Sequence, residues 1–289
     1  MSSRSSWIKR VVHTQTIMSA AWSILKEHKS LLLFPLASSA TLVLLTLSIV
    51  MPTVVGILTG ASASSPLFDD SYLTSVVLFL LYVISYAIGI FFNSALAFCV
   101  LQKLDGKHVS IGEGLREATA CLSQIVGWAI ASAPVGLLLK AVERRSGWIG
   151  RLVAKTVGMA WAIATFLVVP ILVAEKKGPI DAVQESVQLL RRTWGENLFA
   201  RLGFGVLYFV WSLPGLLAFV LAVGTFPSHP MIAVVTMAFN LLYLPSLGLV
   251  FSTMSTIFDV VLYRYARLGT AAVGFDQELL QSCFATKSA

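Results

Sequence analysis

Of the 289 residues, 57% are hydrophobic and only 12% are charged, where roughly 25% charge is usual in a soluble domain. That deficit excludes an ordinary soluble fold and makes lipid the solvent for most of the chain. The formal charge of +7 comes without a basic stripe of interleaved aromatics, so it excludes nucleic acid as a partner and reads as the lysine and arginine asymmetry of a membrane protein.

In chain order, residues 5–27 predict an interfacial helix, because Trp7, Val11, Met18, Trp22 and Leu25 fall within about 60° of one another at about 100° per residue. The first apolar run, 31–59, is too long for a signal-peptide core, although Ala61-Ser62-Ala63 after it mimics a cleavage site, and it is expected to be retained as a span. A second span is predicted over 72–101. Ser110-Ile111-Gly112-Glu113 has capping-box spacing and opens a short helix over 110–120. Spans three and four follow over 121–142 and 149–174.

The next segment has Gly178 as a cap, Pro179 at the first helical position, Asp181 in the first turn, Arg191 and Arg192 in the last, and Gly195 as a stop. These signals predict an amphipathic helix over 179–194. Its stripe is Ile180, Val183, Val187, Leu190 and Trp194. The last two spans cover 198–224 and 231–262, and the final one exceeds what a straight crossing of about 30 Å needs. It must tilt, bend or protrude.

The expected fold is therefore all-α: a polytopic transmembrane helical bundle of about six spans with cytoplasmic amphipathic helices, forming one integral membrane domain over 1–289. Each amphipathic helix precedes a pair of spans, so one plan recurs three times. Of 21 lysines and arginines, all but five fall on one side if the spans alternate, which places both termini in the cytoplasm of a cell membrane, by expectation a bacterial inner membrane. The five exceptions, Lys140, Arg144, Arg145, Arg151 and Lys155, flank the outer connection between spans three and four. Read plainly, they are a wet loop with snorkelling stems. The other readings are a hairpin that does not fully cross and a basic vestibule, with Arg144, Arg145, Arg151 and Lys155 as the candidate site for anions or lipid headgroups and Glu143 offsetting part of their field.

Pro35, Pro52, Pro134, Pro170, Pro214 and Pro245 fall in five of the six predicted spans and are expected to kink or break some of them. In span six, Ser252, Thr256, Asp259 and Tyr263 share one face, a candidate polar path or structural ion pair. Asn93 and Asn240 are expected to hydrogen-bond between helices. The four histidines and three cysteines are scattered, so no metal or other cofactor is expected. No nucleophile elbow, phosphate loop or dinucleotide fingerprint is present, and enzymatic activity is not expected.

Two stretches carry a resemblance. Phe166-Leu-Val-Val-Pro170-Ile-Leu-Val-Ala-Glu175 with Gly178-Pro179-Ile-Asp-Ala182 and Ser186 through Glu196, together with Leu262-Tyr263-Arg264-Tyr265-Ala266, Gly274-Phe275-Asp276 and Leu31-Leu-Leu-Phe-Pro35-Leu, resembles an uncharacterised DUF-type family of bacterial six-span membrane proteins. The segment around Glu175 is also similar to YciC-like proteins and to the membrane domain of some glycerophosphodiester phosphodiesterases. The resemblance implies the six-span plan with cytoplasmic elbows and hands over no activity. Two functions remain open: a channel or permease for a small anionic solute, and a non-transporting scaffold that binds lipid or a partner protein through its interfacial helices. Membrane lipids, and a second copy of the chain, are the expected partners.

Overall fold

The structure, a computed structural model, describes residues 19, 21–58, 71–145, 147–192 and 197–268. Most of the expected N-terminal interfacial helix, the loop over 60–70, Trp194, Gly195 and Gly274 to Asp276 lie outside the described residues. So do the side chains of Arg145, Arg192 and Arg201. Every described element is helical, as the charge deficit and the long apolar runs require. Among the described residues, six helices are long and apolar enough to cross a membrane: Lys29–Met51, Ser75–Leu104, Leu122–Arg144, Gly147–Glu175, Gly205–Thr225 and Pro230–Leu268.

The chain divides into two compact units, Leu33–Leu190 and the remainder, Met1–Leu32 with Arg191–Ala289. The first contains α1 (Leu33–Leu58), α2 (Ser71–Leu104), α3 (Ile111–Ala120), α4 (Leu122–Arg145), α5 (Gly147–Ala164), α6 (Val168–Glu175) and α7 (Pro179–Arg192). Its spine is α2, which packs against α1, α3, α4 and α6. Ser94, Ala95, Ala97 and Cys99 in its last third are all buried, and such small side chains let neighbouring backbones approach closely. At Gly114 of α3 an added Cβ would stand 2.5 Å from Cys99 Sγ and 3.1 Å from the Ala95 carbonyl oxygen.

Helices α4 and α5 form a hairpin on which Trp128 stacks against Trp161, centroids 5.9 Å apart and planes within 13°. α4 ends at Arg145 and α5 begins at Gly147, whose φ is +57°, a conformation glycine adopts without steric cost. The connection expected to be a wet loop is thus one residue, and the cations lie on helices.

Span four is interrupted. After α5 the chain closes two tighter hydrogen bonds, Phe166 N to Ile163 O and Val168 N to Thr165 O, both 3.2 Å, before α6 begins. Pro170 explains the site of the break, since it offers no N–H to the carbonyl four residues earlier. The other prolines do not break their spans: α1, α4, α8 and α9 continue through Pro52, Pro134, Pro214 and Pro245, and Pro35 sits in the first turn of α1. Of the prolines that could kink or break a span, only Pro170 stands beside an interruption among the described residues.

In the second unit, the turn Lys29–Leu32 packs on α9 (Pro230–Leu268), which pairs with α8 (Asn197–Thr225). The two cross closely at Gly215, where a Cβ would stand 2.9 Å from both Asn240 Oδ1 and the Tyr243 ring. Beside this crossing the Tyr243 hydroxyl donates to the Trp211 carbonyl at 2.6 Å. Asn240 Nδ2 donates to Thr236 O of its own helix at 3.1 Å, so the side-chain hydrogen bond expected between helices is made within one. At 39 residues, α9 is about 58 Å long, nearly twice the hydrocarbon thickness. Met231, Ile232, Val235, Leu241 and Leu242 in its first half are exposed, whereas Thr253 to Tyr263 is nearly all buried. Ahead of the Lys29–Leu32 turn, Ala21 and Leu25 are buried and Lys26 Nζ lies 5.6 Å over the Trp22 ring.

Candidate functional site

Polar interactions of the first unit gather at one end, where α3 and the end of α2 meet the start of α4 and the α6–α7 elbow. The sequence sets α3 there through its capping box, which the structure bears out: Ser110 N donates to Glu113 Oε2 at 2.8 Å and Glu113 N to Ser110 Oγ at 3.2 Å. Lys176 closes α6 in the left-handed conformation, φ 52°, and its ammonium meets Glu117 of α3 at 2.7 Å. Lys177 bridges Glu175 at 2.7 Å and Glu185 of α7 at 3.0 Å. The hydrogen bond and charge of Glu117 hold Lys176 above the ordinary lysine range, and those of Glu175 and Glu185 do the same for Lys177.

Beneath these pairs the break in span four is sealed. α6 is apolar up to its last residue and largely buried, at Val168, Pro170, Ile171, Leu172 and Val173, as a helix without a polar face must be, with Ala174 exposed at its end. The Leu167 N–H donates to the Ser186 hydroxyl oxygen of α7 at 3.2 Å, with both residues fully buried. A backbone donor exposed by the break thus finds a side-chain acceptor on the next helix. Pro179, at the first position of α7, packs against α4, since a Cβ on Gly127 would stand 3.2 Å from Pro179 Cγ.

α7 is a three-sided helix. Ala182, Ser186, Leu189 and Leu190 are buried, and Asp181, Gln184, Gln188 and Arg191 are exposed. Val183 and Val187 are half-buried, while Ile180 is 72% exposed. The expected stripe over Ile180, Val183, Val187 and Leu190 is therefore corrected by a rotation: the packed face is the one carrying the small residues Ala182 and Ser186, and an apolar flank is left beside it.

The residues singled out from sequence fall elsewhere. Lys140, Glu143, Arg144, Arg151 and Lys155 are all exposed, at the hairpin end of α4 and α5, and none forms an ion pair with another described residue. On α9, Ser252 is exposed, Asp259 is half-buried, and Thr256 and Tyr263 are buried. Thr256 Oγ1 donates back to Ser252 O at 3.1 Å. Among the described residues no three His, Cys, Asp or Glu side chains are grouped as a metal site would need. Sequence reasoning missed the Lys176–Glu117 pair, which no local spacing signals, and the Ser186 contact. Its only trace was a serine interrupting the apolar side of α7.

This architecture defines a polytopic helical membrane protein. A family model matches residues 72–275, well over half of the chain, and the chain belongs to that family, a family of unknown function (DUF6159). The match covers the elbow, the basic hairpin and the polar face of α9, and bears out the resemblance to an uncharacterised DUF-type family. None of the curated proteins matches, and none of the solved structures does.

Proposed function

We propose that this chain is a non-transporting membrane scaffold whose elbow helices hold a platform at the cytoplasmic membrane surface. The observation that carries this reading is the three-sided α7: one side is fixed to the protein through Ser186, one is polar, and one apolar flank is only partly covered by the described residues, with Val183 and Val187 half-buried and Ile180 72% exposed. Interfacial helices settle apolar side to acyl chains and polar side to water, and α7 meets both requirements while clamped in place. Lys103, Lys107, Arg116, Lys176, Lys177 and Arg191 share the elbow end, and the positive-inside rule then sets that end in the cytoplasm of the cell membrane.

A channel or permease for a small anionic solute is the second reading, favoured by the exposed cations of the α4–α5 hairpin. The polar face of α9 is a further support, but proline-broken spans reduce to one interruption among the described residues. The Trp128–Trp161 stack lies one turn before that interruption on α5 and two turns after the start of α4. The break therefore falls toward the elbow, whereas transporter sites are built from discontinuous helices near the bilayer midplane. The similarity of the Glu175 segment to YciC-like proteins and phosphodiesterase membrane domains fits the same plan of spans and elbow, and supplies no activity.

Proteoliposomes test the two readings. With the purified chain reconstituted in them, chloride and phosphate efflux is expected to equal that of protein-free vesicles. Efflux above that background that responds to Arg144→Gln and Arg151→Gln would overturn the scaffold in favour of transport.

A further inference from the structure

We infer that the tip of the α4–α5 hairpin is a docking surface for the phosphate of anionic phospholipid headgroups, at the end of the unit opposite the elbow. It shares no residue with the elbow platform. Lys140 and Arg144 lie one turn apart on α4, and Arg151 and Lys155 one turn apart on α5. All four are exposed. At about 1.5 Å per residue, Arg144 and Arg151 lie about 5 to 6 Å from the Gly147 turn, and Lys140 and Lys155 about 10 to 12 Å. Aliphatic stems of several carbons bring the deeper pair up to the level of the shallower.

That level coincides with the start of the apolar run on α2. A Cβ on Gly136 of α4 would stand 3.1 Å from the Tyr82 hydroxyl of α2. The two helices run antiparallel, so Lys140 to Arg144 stand one to two turns beyond this contact, beside the first turns of the apolar span Ser75–Leu104. Trp148 at the hairpin tip is 70% exposed and Tyr72 at the same end of α2 is 79% exposed. Tryptophan and tyrosine mark the headgroup level of a bilayer. Cations held at that level, with Glu143 the one acid on the described hairpin, meet phosphate where its charge lies, and the arginine fork matches two phosphate oxygens at once. Headgroups also account for four cations on the side where the positive-inside rule expects few: they stand near helix ends, where their stems reach up to lipid phosphate.

Native mass spectrometry of the full-length protein in detergent tests this, with phosphatidylglycerol and phosphatidylcholine of equal chain length as probes at low salt. The parent is expected to bind phosphatidylglycerol about tenfold or more tightly than phosphatidylcholine. The variant carrying Lys140→Gln, Arg144→Gln, Arg151→Gln and Lys155→Gln should lose that preference, while Arg144→Lys with Arg151→Lys should keep most of it. If the fourfold variant does not fold, Arg144→Gln and Arg151→Gln singly should each reduce the preference. Undiminished preference in the Gln variants would overturn the assignment. So would inorganic phosphate binding as tightly as phosphatidylglycerol, which would make the surface a free-anion site.

Discussion

The Ser186 hydroxyl and the Gly114 hydrogen are small groups on which large contacts depend. Ser186→Ala leaves the buried Leu167 N–H without its acceptor, and an orphaned buried donor costs about 1–3 kcal/mol. Thermal unfolding in detergent should show that loss, and an unchanged midpoint would remove the hydroxyl from the seal. Gly114→Ala forces a methyl to within 2.5 Å of Cys99 Sγ and should cost about 1–3 kcal/mol by overpacking. Gly112→Ala, whose Cβ meets only Ser110 Oγ at 3.9 Å, should be neutral or stabilise α3 by up to about 1 kcal/mol. Lys176 and Lys177 have raised pKa values in the folded state. Their ion pairs therefore contribute in full below the ordinary lysine value of 10.5 and fade as pH rises through the higher folded value. The difference in melting temperature between the parent and Lys177→Met should be constant from neutral pH upward and shrink only above that value. A difference that instead vanished between pH 7 and 9 would mean that Lys177 is not held by its two carboxylates.

At the scale of elements, the signals read correctly were short-range. The capping box spans three residues and the spans are continuous apolar runs, so both are determined by neighbours in sequence. The rotation of α7 was not legible, because apolar periodicity describes which residues avoid water and not which of two apolar flanks meets protein. Ser186 decides that, through its contact with Leu167, 19 residues away. Likewise the break at residues 165–167 combines Pro170 with an acceptor on α7, Ser186 Oγ, nineteen residues further on. A ranking follows for α7: Leu189→Asp should destabilise most, Val187→Asp less, and Gln184→Asp least, since these positions are buried, half-buried and exposed. Burying an unpaired carboxylate costs several kcal/mol and exposing one almost nothing. Equal thermal shifts for the three would contradict the three-sided placement.

At the scale of the molecule, the charge asymmetry visible in the sequence coincides with a structural polarity of the Leu33–Leu190 unit. Ion pairs and amphipathic helices crowd one end, and unpaired cations with exposed aromatics mark the other. The sequence could not reveal that the outer connection is a single residue, because Arg144-Arg145-Ser146-Gly147 reads equally well as a polar loop and as two helix ends meeting. On the proposed reading this polarity sets how the unit crosses a bilayer, and cysteine accessibility measures it most directly. In right-side-out vesicles, with Cys99, Cys121 and Cys283 replaced, a membrane-impermeant maleimide should label Glu143→Cys at the hairpin from outside, and Lys107→Cys at the elbow only after permeabilisation. Labelling of Lys107→Cys in intact vesicles, with Glu143→Cys protected until they are opened, would contradict the cytoplasmic elbow and the headgroup-facing hairpin together.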